Sequence, residues 1–538
     1  MDFGMIRSLA QAPPSKDAWE ELCKTLDRTQ EPRDLERALG YLEGALRRWP
    51  RAWRVVPQLW RSDMMGEGKE AMRVARVGVL KQSQSGHIAS ASAARGQGMR
   101  HLDRLELVSY GGDIVSLTTL LGVDGLKGLR ELELSSMRLS GRSNKRSFLS
   151  HIRAFGACVN AHERLETFEL RGTKTFDATC YAALLEHPLG LKALTIERSG
   201  LTSDQMKLIA GQVRSGLERL DLGGNDLGDE GWSALAAQDL SGLRSLRLDR
   251  TRGGDVGARA LAARPMPDLE QLALIHVSMG EVGVAAWLSA PLERLRDLEL
   301  DLSGEHAALA AALSAARGME KLERLMLRFN TDDDEKLCDA LADVSVFRGA
   351  RDVNLSQLSP EALATLLRSA AFEGVERLTL DLVEMTDEVW EALVSSEHLS
   401  RLTDLTVFRS DDASLDGPGY GRFCAADGLR ALQRLTYDRC KWNGLSRLAN
   451  SARVGTLTSL TLRNSAFDEA ELVRLFANEG VARMERFELC PNRLMTKGEA
   501  MACLNAEHHP SEWSPPFAAL KAFSRAEARE ARSLWSRW

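Results

Sequence analysis

Cysteine is scarce in this chain and scattered: eight residues in 538, none of them in a Cys-x-x-Cys pair. That excludes a zinc knuckle and gives no disulfide framework, so the chain reads as a reduced, cytoplasmic protein. Long apolar runs are lacking too; none reaches the ~18 residues a membrane span needs. Charge of one sign is not in excess. Seventy Lys and Arg against 76 Asp and Glu leave a net −6, whereas nucleic-acid binders are more often basic overall. The first residues lack a secretory pattern, because Pro13-Pro14 and Lys16-Asp17 cut short a brief apolar stretch. The chain has no Gly-x-x-x-x-Gly-Lys-Ser/Thr loop, no His-Glu-x-x-His helix and no Gly-x-Ser-x-Gly elbow. No constellation assigns a nucleophile, a base and an oxyanion donor. The expectation is a non-enzyme with no cofactor, no metal and no nucleic-acid partner. The abundance of Arg, Ala, Gly and Leu is compatible with a GC-rich bacterial genome.

What is present is a repeat. Leu-x-x-Leu-x-Leu recurs roughly every 25–28 residues from Leu102 to Leu489, with two longer steps. Its last apolar position falls at Leu107, Leu134, Leu170, Ile196, Leu222, Leu248, Leu274, Leu300, Leu327, Leu355, Leu380, Val407, Tyr437, Leu462 and Leu489. From Leu170 to Leu300 the step is always 26. Such a period predicts a solenoid of one supersecondary unit, whose faces are buried only by stacking. In the clearest copy Leu220 and Leu222 alternate with polar residues, as in a strand with one buried face. Asn225 turns the chain, Leu227 points inward, and a helical segment follows around Trp232 to Leu240. Helix starts are predicted at Thr202-Ser-Asp-Gln205, at Ser359-Pro360-Glu361, and at Thr331 and Thr386.

These residues resemble the leucine-rich-repeat family, in its ribonuclease-inhibitor-like class, over roughly three quarters of the chain. The resemblance implies an α/β solenoid, a horseshoe with a parallel sheet on the concave face and helices on the convex face. It also implies that the residue three past the last apolar position satisfies backbone groups in a buried turn. Thr173, Ser199, Asn225, Thr251, Ser303, Asn330, Ser410, Cys440, Ser465 and Asn492 stand there; Tyr110, Met137, Val277, Leu358 and Val383 depart from the pattern. Cys440 is thus expected as a ladder residue rather than a nucleophile.

The expected organisation is a helical N-terminal cap or small domain over 1–70, a solenoid of about 15–16 repeats over 71–506, and a linker with an amphipathic helical tail over 507–538. Val74 to Val79 reads as a degenerate first repeat. The basic, aromatic stretch from Arg47 to Arg61 is expected to be capping; its alternatives are a membrane surface or nucleic acid. Ala518 to Trp538 folds back as a cap or docks in a partner's groove. Insertions lengthen the steps before Leu170 (Arg142, Lys145, Arg146) and before Tyr437 (Asp411-Asp412). Gly417 to Gly421 reads as a loop. His508-His509 lacks further ligands at a recognised spacing, and His276 reads as structural or exposed.

Function is expected on the outward strand positions. They carry mixed charge and lean acidic, which suits a protein partner with a basic patch. Ile275, Met326 and Phe408 stand there where polar residues are expected, and are the candidate anchors; Glu299, Asp301 and Arg328 are the candidate charged contacts. The leading expectation is a non-catalytic scaffold or recognition subunit that binds a protein on the concave face. Its alternatives are a regulator of an enzyme, as inhibitor or GTPase activator, and the sensor arm of a larger complex that uses residues 1–70 for effector docking.

Overall fold

The computed structural model describes residues 3–27, parts of 34–49, 80–83, 104–108 and, with gaps in the connecting segments, 129–491. The chain divides into two compact units, Met1–Ser278 and Met279–Trp538.

The first unit opens with two helices, α1 (Phe3–Gln11) and α2 (Lys16–Asp27). Ser15 Oγ accepts the Ala18 N–H at 3.1 Å and caps α2. Ile6, Trp19, Leu22, Leu26, Leu42, Leu46 and Trp49 form a small core with them. Trp49 is therefore a core residue, 4% exposed. Arg47, Arg48 and 50–61, the remainder of the basic aromatic stretch, lie outside the described residues.

Eight strands follow: β1 (Leu80–Ser83), β2 (Arg104–Val108), β3 (Glu131–Ser135), β4 (Thr167–Arg171), β5 (Ala193–Glu197), β6 (Arg219–Asp221), β7 (Ser245–Arg247) and β8 (Gln271–Leu274). Each pairs in parallel with the next. Parallel neighbours need crossovers, and the described ones carry α3 (Lys145–Asn160), α4 (Ser203–Ala210), α5 (Gly228–Ala236) and α6 (Asp255–Ala262). The second unit repeats the plan. Its strands are β9 (Asp297–Ser303), β10 (Arg324–Asn330), β11 (Asp352–Ser356), β12 (Arg377–Asp381), β13 (Asp404–Phe408), β14 (Arg434–Asp438), β15 (Ser459–Ser465) and β16 (Arg486–Pro491). All are parallel, and in register but for a shift between Arg463 and Ser465 where β15 meets β16. Its helices are α7 (Glu281–Leu288), α8 (Pro360–Leu367), α9 (Asp387–Ser395), α10 (Pro418–Cys424), α11 (Ala452–Thr456) and α12 (Glu479–Arg483). The fold is a leucine-rich-repeat solenoid.

The cause is the two apolar residues of each strand. In the first unit Leu220, Leu222, Leu246 and Leu248 are buried, as is Trp232 of its helices; in the second Leu378 and Leu380 are buried, as are Trp287 and Trp390. Trp232 Nε1 donates to Thr251 Oγ1 at 3.0 Å. A side chain at Gly253 would stand 2.1 Å from the Trp232 ring, so glycine is what lets the indole lie there. Two residues past the last apolar position the backbone turns left-handed, at Gly172 and Gly224 but also at Arg198, Arg250, His276, Gln357 and Leu382.

The buried turns are as the repeat predicts. Asn225 Nδ2 donates to Ile196 O (2.6 Å) and Leu222 O (2.7 Å), while its Oδ1 accepts from Ser199 N (3.0 Å) and Leu201 N (3.1 Å). Ser199 Oγ donates to Glu197 O at 2.9 Å and accepts from Thr173 N at 3.3 Å. Thr202 N donates to Gln205 Oε1 at 2.8 Å at the start of α4, and Ser359 Oγ and Thr386 Oγ1 accept at the starts of α8 and α9.

Four expectations are corrected. In the first repeat Gln82, not Val79, stands opposite Leu107, because Leu80 takes the place of Leu105. Helix α5 spans Gly228–Ala236 and ends before Leu240. Asn330 is exposed, since β9 and β10 run on for seven residues and carry the chain past the point of the turn. Gly417 to Gly421 is no loop: Pro418 opens α10, whose first amides are held by Asp387 from the preceding repeat. Thr331, Ser410, Cys440, Asn492, His508-His509 and the expected helical tail lie outside the described residues.

Candidate interaction surface

In-register pairing arranges the outward side chains of each unit in three rows that run from strand to strand, about 4.8 Å per step. In the second unit the first row reads Asp297, Arg324, Asp352, Arg377, Asp404, Arg434. The signs alternate, and each arginine reaches back one strand. Arg324 lies 3.2 Å from Asp297, Arg377 Nε lies 3.1 Å from Asp352 Oδ2, and Arg434 Nη2 lies 2.6 Å from Asp404 Oδ2. The hydrogen bond to Asp404, with that carboxylate's charge, holds the Arg434 guanidinium above its ordinary pKa.

The middle row differs. Glu299 opens it; then come Met326, Asn354, Thr379, Thr406, Thr436 and Thr461, one per strand and none charged. All but Thr461, 7% exposed, are half-buried. The third row carries Asp301, Arg328, Ser356, Asp381, Phe408 and Asp438. Asp301 is only 2% exposed and lies 3.3 Å from Arg328 Nη1. It is a buried ion-pair partner rather than a solvated strand acid. Phe408 is half-buried between Asp381 and Asp438 in the register. Met326, Arg328, Glu299 and Asp301 thus sit together on β9 and β10, whereas Phe408 stands on β13.

Ile275 belongs to the first unit and is 6% exposed, with Ala273 beside it at 2%. It is not the exposed knob the sequence suggests. Its N–H is 3.3 Å from Asp249 Oδ1, and Asp249 is itself held by Arg247 at 2.6 Å, so polar side chains crowd that strand end.

The acids of the first unit are largely neutralised in place. Arg104 pairs with Glu131 (2.7 Å) and Glu133, and Arg171 with Glu169 (2.9 Å) and Glu197. Burial would lower the Arg104 pKa, but the Glu131 hydrogen bond and the charges of Glu131, Glu133 and Glu169 outweigh it and raise it. Asp221 goes the other way for a carboxyl: burial raises it, although the Gly223 N–H and Arg247 pull it down.

Nothing in this arrangement activates a nucleophile. Cys424 is buried and its thiol is pushed up to about 11 by that burial; Cys338 is raised by the same cause. Among the described residues no three His, Cys, Asp or Glu side chains converge as a metal site, and no helix is long and apolar enough to cross a membrane.

Sequence reasoning missed the threonine row and the part of Arg104. The signal for both was present, but only in the alignment of one repeat upon the next. The chain matches no protein-family model and no curated protein. Among solved structures it is similar to a chain of the yeast Rad7–Elc1 complex, at 15% identity and a TM-score of 0.40, covering 78% of this chain and 92% of that one. It is also similar to an internalin, InlF, from Listeria monocytogenes, at 15% identity and a TM-score of 0.36, covering 63% and 81%. Both superpose loosely; the in-register strands and buried turns of this chain are what make it a leucine-rich-repeat fold.

Proposed function

We propose that this protein is a non-catalytic interaction scaffold that binds a protein partner on the exposed face of its sheet. The docking core is the uncharged middle row of the second unit, Met326 to Thr461, with Phe408 beside it. One observation carries this reading: six successive strands, β10 to β15, place no charge in that row, while the charges of the first row are paired with one another. The centre of a protein interface is depleted of charge, enriched in Met and aromatic residues, and ringed by polar groups. A row of half-buried threonines also loses little side-chain entropy when covered. Helices of eight or nine residues between five-residue strands, as at α8 and α9, support the ribonuclease-inhibitor-like class.

A second reading keeps the partner's basic patch and places it on the first unit. The acids of that unit's middle row, Glu133, Glu169 and Asp221, outnumber its base Arg247 and favour it, although Arg104 and Arg171 already pair with Glu133 and Glu169. The two differ in salt dependence, since binding to an uncharged row is little screened.

The test is affinity capture from the encoding organism with the wild-type chain, with Thr406→Arg/Thr436→Arg, and with Glu133→Lys/Glu169→Lys, each first shown to melt like wild type. A stoichiometric protein that survives about 0.5 M salt and is lost only in the threonine variant supports the first reading. Loss only in the glutamate variant supports the second. A partner retained by both variants overturns the assignment to this face.

A further inference from the structure

One residue before the strands β2 to β12 runs a fourth row, whose charges alternate without exception through eleven repeats: Asp103, Arg130, Glu166, Lys192, Glu218, Arg244, Glu270, Arg296, Glu323, Arg351 and Glu376. Seven of them lie in the first unit, of which the six from Arg130 to Glu270 are described. Their backbones are linked, because each N–H donates to the carbonyl of the residue before it: Glu166 to Arg130 (2.8 Å), Lys192 to Glu166 (2.9 Å), Glu218 to Lys192, Arg244 to Glu218 and Glu270 to Arg244 (2.8 Å each). Its described members are exposed or half-exposed and border an open groove of about 430 Å³. Within the unit its charges pair only in part. Lys192 lies 3.4 Å from Glu166 and Arg244 lies 3.1 Å from Glu270, whereas Arg130 and Glu218 have no ion pair among the described residues.

We propose that this row is a self-association surface whose occupant is a second copy of this chain. A row of alternating charges is complementary to itself under a two-fold axis that passes between two adjacent members. The axis proposed falls between Lys192 and Glu218, where the open groove lies and where Glu218 has no ion pair among the described residues. It sets Lys192 against the partner's Glu218, Glu166 against the partner's Arg244, and Arg130 against the partner's Glu270, so that every contact joins opposite signs. This is the isologous geometry that two-fold dimers require. The groove beside the row gives the long side chains of the second copy somewhere to lie, and Glu218 and Arg130 gain the partners they lack among the described residues. The surface is distinct from the uncharged docking row, and it stands or falls without it.

Alternation also has an intramolecular explanation, that each charge simply sits between opposite neighbours. A double reversal separates the two. Lys192→Glu with Glu218→Lys preserves every two-fold contact, but places like charges side by side along one chain: an acid next to Glu166 and a base next to Arg244. Lys192→Glu alone sets acid against acid at the axis. The measurement is sedimentation velocity of the full chain over a concentration series, at about 50 mM and about 500 mM NaCl, where the Debye length falls several-fold. The expected result is a dimer at low salt that dissociates at high salt, at least tenfold weaker association in each single variant, and recovery in the double variant. A wild-type chain that remains monomeric at low salt overturns the proposal. So does a dimer indifferent to the single reversals, or a double variant that stays folded and monomeric.

Discussion

Arg377 Nε donates to Asp352 Oδ2 across 3.1 Å, from one repeat to the repeat before it, although 25 residues of chain separate them. Both side chains are partly exposed, at 48% and 29%. Such a pair contributes at most about 1 kcal/mol. Its effect is to neutralise a charge at the border of the uncharged row. Arg377→Ala is expected to change the unfolding free energy by less than about 1 kcal/mol, with the difference fading in high salt. Urea titrations at two ionic strengths check this.

The buried turns are costlier to disturb. Asn225 is 3% exposed and its amide serves four backbone groups. Asn225→Ala leaves them unpaired in the interior, an expected loss of about 3 kcal/mol or more. Asn225→Asp keeps the acceptor and loses the donors, and is expected to be similarly harmful at neutral pH. Chemical denaturation of both variants measures it.

Asp387 closes a helix start that belongs to the following repeat. Its Oδ1 accepts from Gly419 N at 2.6 Å and Tyr420 N at 3.4 Å, at the first turn of α10. Asp387→Ala is expected to cost about 1–2 kcal/mol, and Asp387→Asn less, since the amide oxygen still accepts. Hydrogen exchange is expected to rise first in α10, which lies directly on the lost cap.

Asp221 makes stability depend on pH in an uncommon direction. Burial raises its pKa in the folded chain. The native state then holds this proton more tightly than the unfolded chain does. The contribution is fully present below the unfolded carboxyl value and is lost as pH rises through the folded one. Asp221→Asn is therefore expected to raise the melting temperature at neutral pH, and to lose that advantage below about pH 3.9. A melting series against pH, wild type beside variant, decides it.

Leu382 carries φ 53° and stands 41% exposed, a conformation that glycine adopts freely. The left-handed region costs a non-glycine residue about 1–2 kcal/mol, and glycine loses about 0.5–1 kcal/mol of chain entropy. Leu382→Gly is expected to be neutral or stabilising by up to about 1 kcal/mol, read from the same urea titrations.

The sequence announced the period, the parallel order and most of the turns, because these depend on apolar positions that recur and on local hydrogen bonds. Thr173, Ser199, Asn225 and Thr251 are all buried where the repeat places them. It did not announce what depends on the exact depth of a residue. Ile275 and Asp301 look alike outward by alternation, yet both are buried, one among polar neighbours and the other beneath Arg328. Nor did it show that Arg104 meets Glu131, since that contact requires the register between residues 27 apart. The acidic lean of the sheet face was legible as composition; its neutralisation by paired arginines was legible only once neighbouring strands were in register. The uncharged row escaped notice because a threonine is unremarkable in any single strand and tells only as Thr379, Thr406, Thr436 and Thr461 side by side.

Hydroxyl-radical footprinting of the captured complex tests the docking row most directly, because Met326 in it and Phe408 beside it are oxidisable side chains. Binding is expected to lower the oxidation of both several-fold, while Leu208, Val256 and Val282, exposed on the helices, are unchanged. Unchanged oxidation of Met326 and Phe408, with protection of the helix residues instead, would contradict it.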